Sequence, residues 1–370
     1  MKINCDRNEM LEALLGVSKA VSAKTAMPAL EGILFKCTNY MAVLTAYDLE
    51  IGITTSISAE VDQPGDIVIN ARLFTEMIRK IESERVTIEV ADDLKILVIG
   101  GAAQFNIMGI PAGDFPEMIM PETEDSLVIS GDVLKEMISR TIYAVSTNDQ
   151  KPVHTGTKFI IGNDALTLVS VDGYRLAVCK QTNMQYQSDN GFVVPAKTLS
   201  EVSKLIGDNN EEISIGTARR YAVFRTQKYT VLTRLLEGDF LDYTKSIPAG
   251  YKTKVRILVE SLFDSVERAS LLINDRFKSP IRMMFENNMV SISCVTALGN
   301  AQDELACEVE GEAVEIGFNN RYMLDALRNC GQQEVFLEFN GPLSPMKLTP
   351  VEGDEFLFLV LPVRIKGGEQ

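Results

Sequence analysis

Three stretches decide how this chain is read: INARLFTEMIRKI (69–81), VPAKTLSEVSKLI (194–206) and FNNRYMLDALRNC (318–330). Each has a basic residue near its start, at Arg72, Lys197 and Arg321, separated by 125 and 124 residues. A second set agrees. TAYDLEIGI (45–53) and SVDGYRLAV (170–178) place Asp48 and Asp172 124 apart, and SCVTALGNA (293–301) falls near the third register. AGDFPEM (112–118) and EGDFLDY (237–243) put Phe115 and Phe240 125 apart. Three such periods account for the 370 residues. A period this long exceeds a solenoid unit and matches a complete small domain. The expected domains are 1–124, 125–249 and 250–370.

The units share a pattern. A helical stretch opens each one: RNEMLEALLGVSKAVSAK (7–24), SGDVLKEMISRTIYAVST (130–147) and ESLFDSVERASLLINDRFK (260–278). Met10, Leu11, Leu14, Leu15, Val17 and Val21 follow the i, i+3, i+4, i+7 spacing of one helix face, as do Val133, Leu134, Met137, Ile138, Ile142 and Val145. Short β-branched runs such as GILFKC and GITTSISAEV follow, then the second helix, then further strands including LKILVIG and AQFNIMG. Two helices and many strands per unit predict an α+β domain with the helices on one side of antiparallel sheets.

Composition narrows the function. The start of the chain lacks a signal-peptide pattern and no run approaches a membrane span, so a cytoplasmic protein is expected. Six scattered cysteines, without a CxxC pair or zinc spacing, read as core residues in a reducing compartment. The single histidine, His154, excludes a His-rich metal cluster, and PVHTG around it has no nucleophile-elbow character. No GxGxxG or GxxxxGK[ST] occurs; GGAA (100–103) reads as a turn or bulge between strands. No metal, cofactor or catalytic residue is predicted.

The formal charge of −15 argues against indiscriminate coating of nucleic acid or anionic membrane. Its distribution is uneven. The six predicted helices, taken as 7–24, 71–82, 130–147, 196–207, 260–278 and 319–330, sum to +3, leaving −18 elsewhere. That is the sign required of a helical layer facing DNA, although helices also carry Lys and Arg on ordinary solvated faces.

The repeats, together with VDGYRLA (171–177), GDFLDYTKSIP (238–248), GFNNRYMLDAL (317–327) and VLPVRI (360–365), resemble the bacterial sliding clamp, the DNA polymerase III beta subunit family, along the whole chain and in order. The resemblance implies three domains of the DNA-clamp fold and a head-to-tail homodimer closed into a ring, helices lining a central hole. It implies a non-catalytic processivity factor around double-stranded DNA of any sequence. Implied partners are the replicative polymerase, the clamp-loader complex, repair and translesion polymerases and mismatch-repair proteins, with no membrane association.

Position by position, the resemblance implies DNA contacts at Lys24, Arg72, Asn148, Lys197 and Arg321. Each could equally be an ordinary surface group. It implies a subunit contact between Phe105 and Ile107, on an edge strand, and Leu271 and Leu272, on the first helix of the third unit. It also implies a cleft for short apolar peptides. Asp172-Gly173 supplies a turn, because glycine tolerates positive φ and aspartate bonds nearby amides. The cleft positions are His154, Val171, Gly173, Tyr174, Arg175, Leu176, Leu241 and Lys245, with Asn319, Tyr322, Leu343, Met346, Leu359, Leu361, Pro362, Val363, Arg364 and Ile365. By itself FLFLVLPVRI (356–365) reads as a buried final strand, with Pro362 favouring an edge. The chain departs from the family pattern in four places: Tyr174 stands for the commoner histidine, Val171 for threonine, Leu241 for proline, and His154 for an aliphatic residue. The tail KGGEQ (366–370) runs past the usual ending. The competing reading is an acidic three-domain scaffold, or an enzyme of unrecognised type using His154.

Overall fold

In the computed structural model, the described residues are 1–370 except 23–24, 124–125, 149, 163, 183–189, 208–210, 275–278 and 366–370. Six α-helices carry the pattern: α1 (Arg7–Val17), α2 (Ala71–Lys80), α3 (Gly131–Ile142), α4 (Ala196–Leu205), α5 (Val259–Ser270) and α6 (Asn320–Asn329). The predicted first helices run too long. α1 gives way to a 3-10 turn at Ser18–Ala20, and α5 stops at Ser270, so Leu271 and Leu272 lie past the helix in a turn. Apolar side chains continue beyond each helix, so periodicity alone does not mark its end. The starts are set by side-chain caps. Asp6 accepts from the amides of Asn8 and Glu9, Asn70 from Leu73, and Asn319 from Arg321, each satisfying amides that a first turn leaves unpaired.

The chain packs as two compact units. Residues Met1–Leu134 and Lys197–Leu235 form one, built on a twelve-stranded antiparallel sheet. Its long path runs from Ala103–Met108 through Lys95–Gly100, Arg85–Val90, Lys2–Asp6, Ile51–Gln63, Tyr229–Arg234, Tyr221–Arg225 and Glu212–Ala218 to Ser126–Ser130. GGAA is the turn of the hairpin joining Lys95–Gly100 to Ala103–Met108. Phe35 meets Phe74 of α2 edge-on at 5.6 Å, and the Tyr229 hydroxyl donates to the Glu12 carbonyl in α1.

The other unit, Lys135–Ala196 and Leu236 onward, contains two antiparallel sheets. Nine strands run from Asn190–Pro195 through Gly156–Gly162, Ala165–Val171, Arg175–Thr182, Phe356–Val360, Met346–Pro350, Glu334–Phe339 and Thr253–Leu258 to Glu308–Gly311. Four more run from Gly299–Ala306 through Met289–Thr296 and Ile281–Glu286 to Val314–Phe318. Phe285, Phe318, Phe339 and Phe358 fill the core between these strands and α5 and α6. The final strand Phe356–Val360 is interior, flanked on both sides. Pro362 therefore marks the end of pairing rather than a sheet edge.

One strand join occurs twice. Ile51–Gln63 of the first repeat pairs with Tyr229–Arg234 of the second, Ile53 opposite Val231. Arg175–Thr182 of the second pairs with Phe356–Val360 of the third, Ala177 opposite Phe358. The sheets therefore run through the repeat boundaries. The backbone bonds that would end a free-standing domain are used to join it to the next.

Candidate partner cleft and nucleic-acid interface

The turn at Asp172 stands among the predicted cleft positions. Gly173 adopts φ +90, a conformation costly for other residues. Asp172 Oδ1 accepts from the amides of Tyr174 and Arg175 at 2.8 and 3.0 Å. Its Oδ2 accepts from Arg175 Nε at 3.0 Å, while Arg175 Nη1 donates to Asp325 Oδ2 on α6 at 2.5 Å. The same guanidinium lies over the rings of Tyr322 at 4.6 Å and Tyr143 at 5.4 Å. Arg175 is only 12% exposed, so it ties the turn to α6 rather than reaching into solvent. Desolvation raises the Tyr143 hydroxyl pKa well above 10, outweighing the cation beside it.

An apolar cluster adjoins the turn. Val169, Val171, Leu176 and Leu359 are buried together, with Ile160, Phe240, Tyr243 and Ile247 half-buried against them. Leu359 pairs directly with Leu176 across the strands. Leu241 is exposed just before the 3-10 turn Tyr243–Ser246, where Lys245 pairs with Asp242 at 2.9 Å. His154 sits in the turn Pro152–Thr155 with its ring edge-on to Phe240 at 5.5 Å. Burial and then Lys151 push its pKa below the usual 6.5.

The end segment is bonded to the turn and to the strand Val314–Phe318. The Leu361 amide donates to the Tyr174 carbonyl and the Val363 amide to the Gly317 carbonyl. Gly317 is required there, since a Cβ would lie 2.8 Å from the Val363 carbonyl oxygen. Val363, Arg364 and Ile365 with Leu343 line a cavity of about 700 Å³ that also contains Lys252, Glu312 and Glu315. Val363 further shares a pocket of about 300 Å³ with Asn319 and Arg321. Tyr322 leans on Tyr174, and Pro362 is half-buried. Met346 is fully buried in the core, and Leu176 and Leu359 are almost as deeply buried.

Of the five DNA positions, Lys24 lies outside the described residues. Arg72 and Lys197 are exposed in the first turns of α2 and α4, Arg321 in that of α6, and Asn148 is exposed after α3. Lys197 Nζ reaches Asp48 Oδ2 at 2.7 Å, which spends part of its charge within the protein. The observed helices sum to only +1, because the predicted ranges borrowed cations beyond their ends. The second helices α2, α4 and α6 carry +2, +1 and +1, against −1, 0 and −2 for α1, α3 and α5. The cationic excess therefore belongs to one helix of each pair, a distinction missed by summing all six.

Phe105 and Ile107 are half-buried on the edge strand Ala103–Met108, and Leu271 is 80% exposed beside half-buried Leu272. Burial raises the thiol pKa of Cys5 and Cys37 to about 12, consistent with packing rather than reactivity. Among the described residues no group of three or more His, Cys, Asp or Glu side chains could hold a metal ion, and no helix is long and apolar enough to cross a membrane.

Repeated α+β units joined through their sheets define the clamp class of fold. Family models for the N-terminal, central and C-terminal domains of the DNA polymerase III beta subunit match residues 1–119, 128–242 and 244–364. The chain belongs to that family, the bacterial beta sliding clamps. It is 31% identical to the beta sliding clamp of Staphylococcus epidermidis, with 98% of this chain and 99% of that one aligned. The crystal structure of the Bacillus subtilis DNA polymerase sliding clamp matches with a TM-score of 0.95 at 29% identity, covering 99% and 100% of the two chains. A Pseudomonas aeruginosa sliding clamp bound to griselimycin matches at 0.93 and 25%, with the same coverage.

Proposed function

We propose that two copies of this chain close head to tail into a ring around duplex DNA and tether the replicative polymerase to it, without catalysing a reaction. The carrying observation is the repeated strand join. The strands that receive a partner begin at Ile51, Arg175 and Gly299, each 124 residues after the last. Their partners begin at Tyr229 and Phe356, 127 residues apart, and Ala103, 126 residues before Tyr229, begins the strand that continues this series. The first two joins are made within the chain. The third pair, Gly299–Ala306 and Ala103–Met108, stands at the ends of its respective sheets.

A second copy completes the third join from each side, a head-to-tail contact repeated by two-fold symmetry. Helix contacts support the same closure. The α1 carbonyl of Glu12 receives Tyr229 at the first join, and Tyr143 after α3 meets Phe358 at 5.5 Å at the second. By analogy, Leu271 and Leu272 after α5 cover Phe105 and Ile107 of the second copy. The domain boundaries near 124 and 249 then fall where each strand join hands over.

A ring holds DNA by topology, so its cations need only weak, sequence-indifferent phosphate contacts. Arg72, Lys197, Arg321 and Asn148, with Lys24, take that role, and the acidic remainder keeps DNA from binding elsewhere. The Leu176–Leu359 floor receives short apolar peptides from polymerases, the clamp loader and repair and mismatch-repair proteins in the cytoplasm.

The test uses loader-assembled protein on nicked circular DNA. It stays bound through a high-salt wash and is lost once the circle is linearised. Equal salt sensitivity on both templates would mean ordinary electrostatic binding. Arms with a competing apolar peptide report the cleft separately: Leu176→Ala combined with deletion of 361–370 abolishes peptide binding while the dimer persists.

A further inference from the structure

We propose that the groove between α5 and α6 in the third repeat receives an arginine side chain from a partner protein, in a segment where an apolar residue adjoins that arginine. The inference is independent of the peptide cleft and of ring closure. It comes from comparing one place in the three repeats. In each, the amide of the residue that begins the first helix donates to a carbonyl beyond the second: Arg7 to Glu84 at 2.8 Å, Gly131 to Glu211 at 2.7 Å, and Val259 to Gln333 at 2.9 Å. What fills the space beside that bond differs.

The first repeat fills it with its own side chain. Arg7 Nε and Nη2 donate to the carbonyls of Ile78 and Arg79 at 2.9 and 2.7 Å, and Nη1 donates to Asn8 Oδ1 at 2.9 Å. Those carbonyls belong to the last turn of α2, which a helix leaves without internal donors. The second repeat has glycine at the position of Arg7. A Cβ on Gly131 would lie 2.6 Å from the Ile206 side chain, so the space is closed. In the third repeat Val259 carries no side-chain donor, and a cavity of about 570 Å³ remains, lined by Leu258, Glu260, Phe263, Leu327, Arg328 and Gln332 among others.

The cavity suits a guanidinium. Leu327 and Arg328 follow Ile78 and Arg79 by 249 residues, in the last turn of α6. The Leu327 carbonyl takes the Cys330 thiol at 3.1 Å and retains a second lone pair. Glu260 stands where Asn8 does, so a carboxylate replaces a neutral acceptor and bonds a guanidinium more strongly. Arg328 is no obstacle: it pairs with Asp325 at 3.7 Å and lies over Phe263 at 5.3 Å. Its counterpart Arg79 is likewise paired, with Glu76, and coexists with Arg7. Leu258, 53% exposed, replaces the Asp6 that caps α1, and α5 has no side-chain cap. That exchange gives the groove an apolar lip for the neighbour of a partner's arginine, which the free amino acid lacks.

Titration of the full chain with three probes, followed by amide NMR shifts, tests this: a capped Arg-Leu dipeptide, its citrulline-Leu counterpart and arginine amide. The Arg-Leu probe is expected to shift the amides of 259–263 and 332–333. Citrulline keeps the shape and removes the charge, and should weaken binding at least about 10-fold. Arginine amide, without the leucine, should bind about 3- to 10-fold more weakly. Glu260→Gln, an exposed substitution with its fold checked by melting, should weaken the Arg-Leu probe about 3- to 10-fold. Val259→Arg supplies the plug of the first repeat and should abolish binding; where it does not fold, Glu260→Gln carries the test. No shift at these amides, a citrulline probe that binds as well as Arg-Leu, or an affinity indifferent to Glu260→Gln overturns the guanidinium site. Arginine amide binding as tightly as Arg-Leu overturns the partner segment as its occupant.

Discussion

Two turns 124 residues apart share a backbone and differ in what they hold. At Asp48 and at Asp172, one carboxylate oxygen accepts from the amides two and three residues on, and the next residue is left-handed. In both, the second oxygen binds a cation. At Asp48 the cation is Lys197, a side chain 61% exposed on α4. At Asp172 it is Arg175, shielded between turn, helix and two aromatic rings. A lysine holds its acid as a point charge, whereas a guanidinium can bond two carboxylates and stack at once. The same turn thus binds a lysine of α4 in one repeat and, through Arg175, is tied to α6 in the next.

The largest effect that would break this contrast is the loss of Arg175. Arg175→Ala leaves Asp172 and Asp325 facing each other across a half-buried gap and is expected to cost about 2–3 kcal/mol in denaturant unfolding. Lys197→Ala should cost under about 1 kcal/mol, since its ion pair is largely solvated. Equal losses would refute the distinction between the turns.

The left-handed position sharpens the comparison at a smaller scale. Gly173→Ala forces a side chain to φ +90 and should destabilise by about 1 kcal/mol. Leu49 already sits at φ +76, so Leu49→Gly should be neutral or stabilise by about 0.5 kcal/mol. On DNA, Arg72→Ala should lower the slope of log affinity against log salt by about one, and Lys197→Ala by less, because Asp48 already engages that lysine.

The smallest expected effect concerns pH. Burial lowers the pKa of His154, so on acidification through 6.5 the unfolded chain takes up a proton before the folded one does. Stability therefore falls between pH 6.5 and the folded pKa, and is not gained there. The lone histidine gives one imidazole resonance, which should titrate below 6.5 by NMR. A value at or above 6.5 would show that its ring is solvated in solution.

The threefold period was legible because domain-length repetition survives substitution where single motifs do not. The Asp172 turn could be read from its Asp-Gly pair. The matching turn at Asp48 could not, since Leu49 gives no sign of a left-handed backbone. Helix ends were misplaced wherever apolar residues ran on, as at Leu271 and Leu272. The bond from Arg175 to Asp325 spans 150 residues and exists only once α6 packs beside the turn. Met346, Leu176 and Leu359 have the same apolar character as the exposed Leu241 and Leu343, and only the fold reveals that they are buried. The cleft was assembled in sequence by resemblance. The structure adds what the sequence did not show, a cation at Arg175 held between two acids and two rings.

Closure by a second copy is the central claim, and mass in solution tests it most directly. The native chain should sediment at twice its 40.9 kDa, and Phe105→Glu, which places a charge on the edge strand, should return it to the mass of one chain. A native protein that stays at 40.9 kDa at working concentration would contradict the ring, because a single chain leaves its third join open.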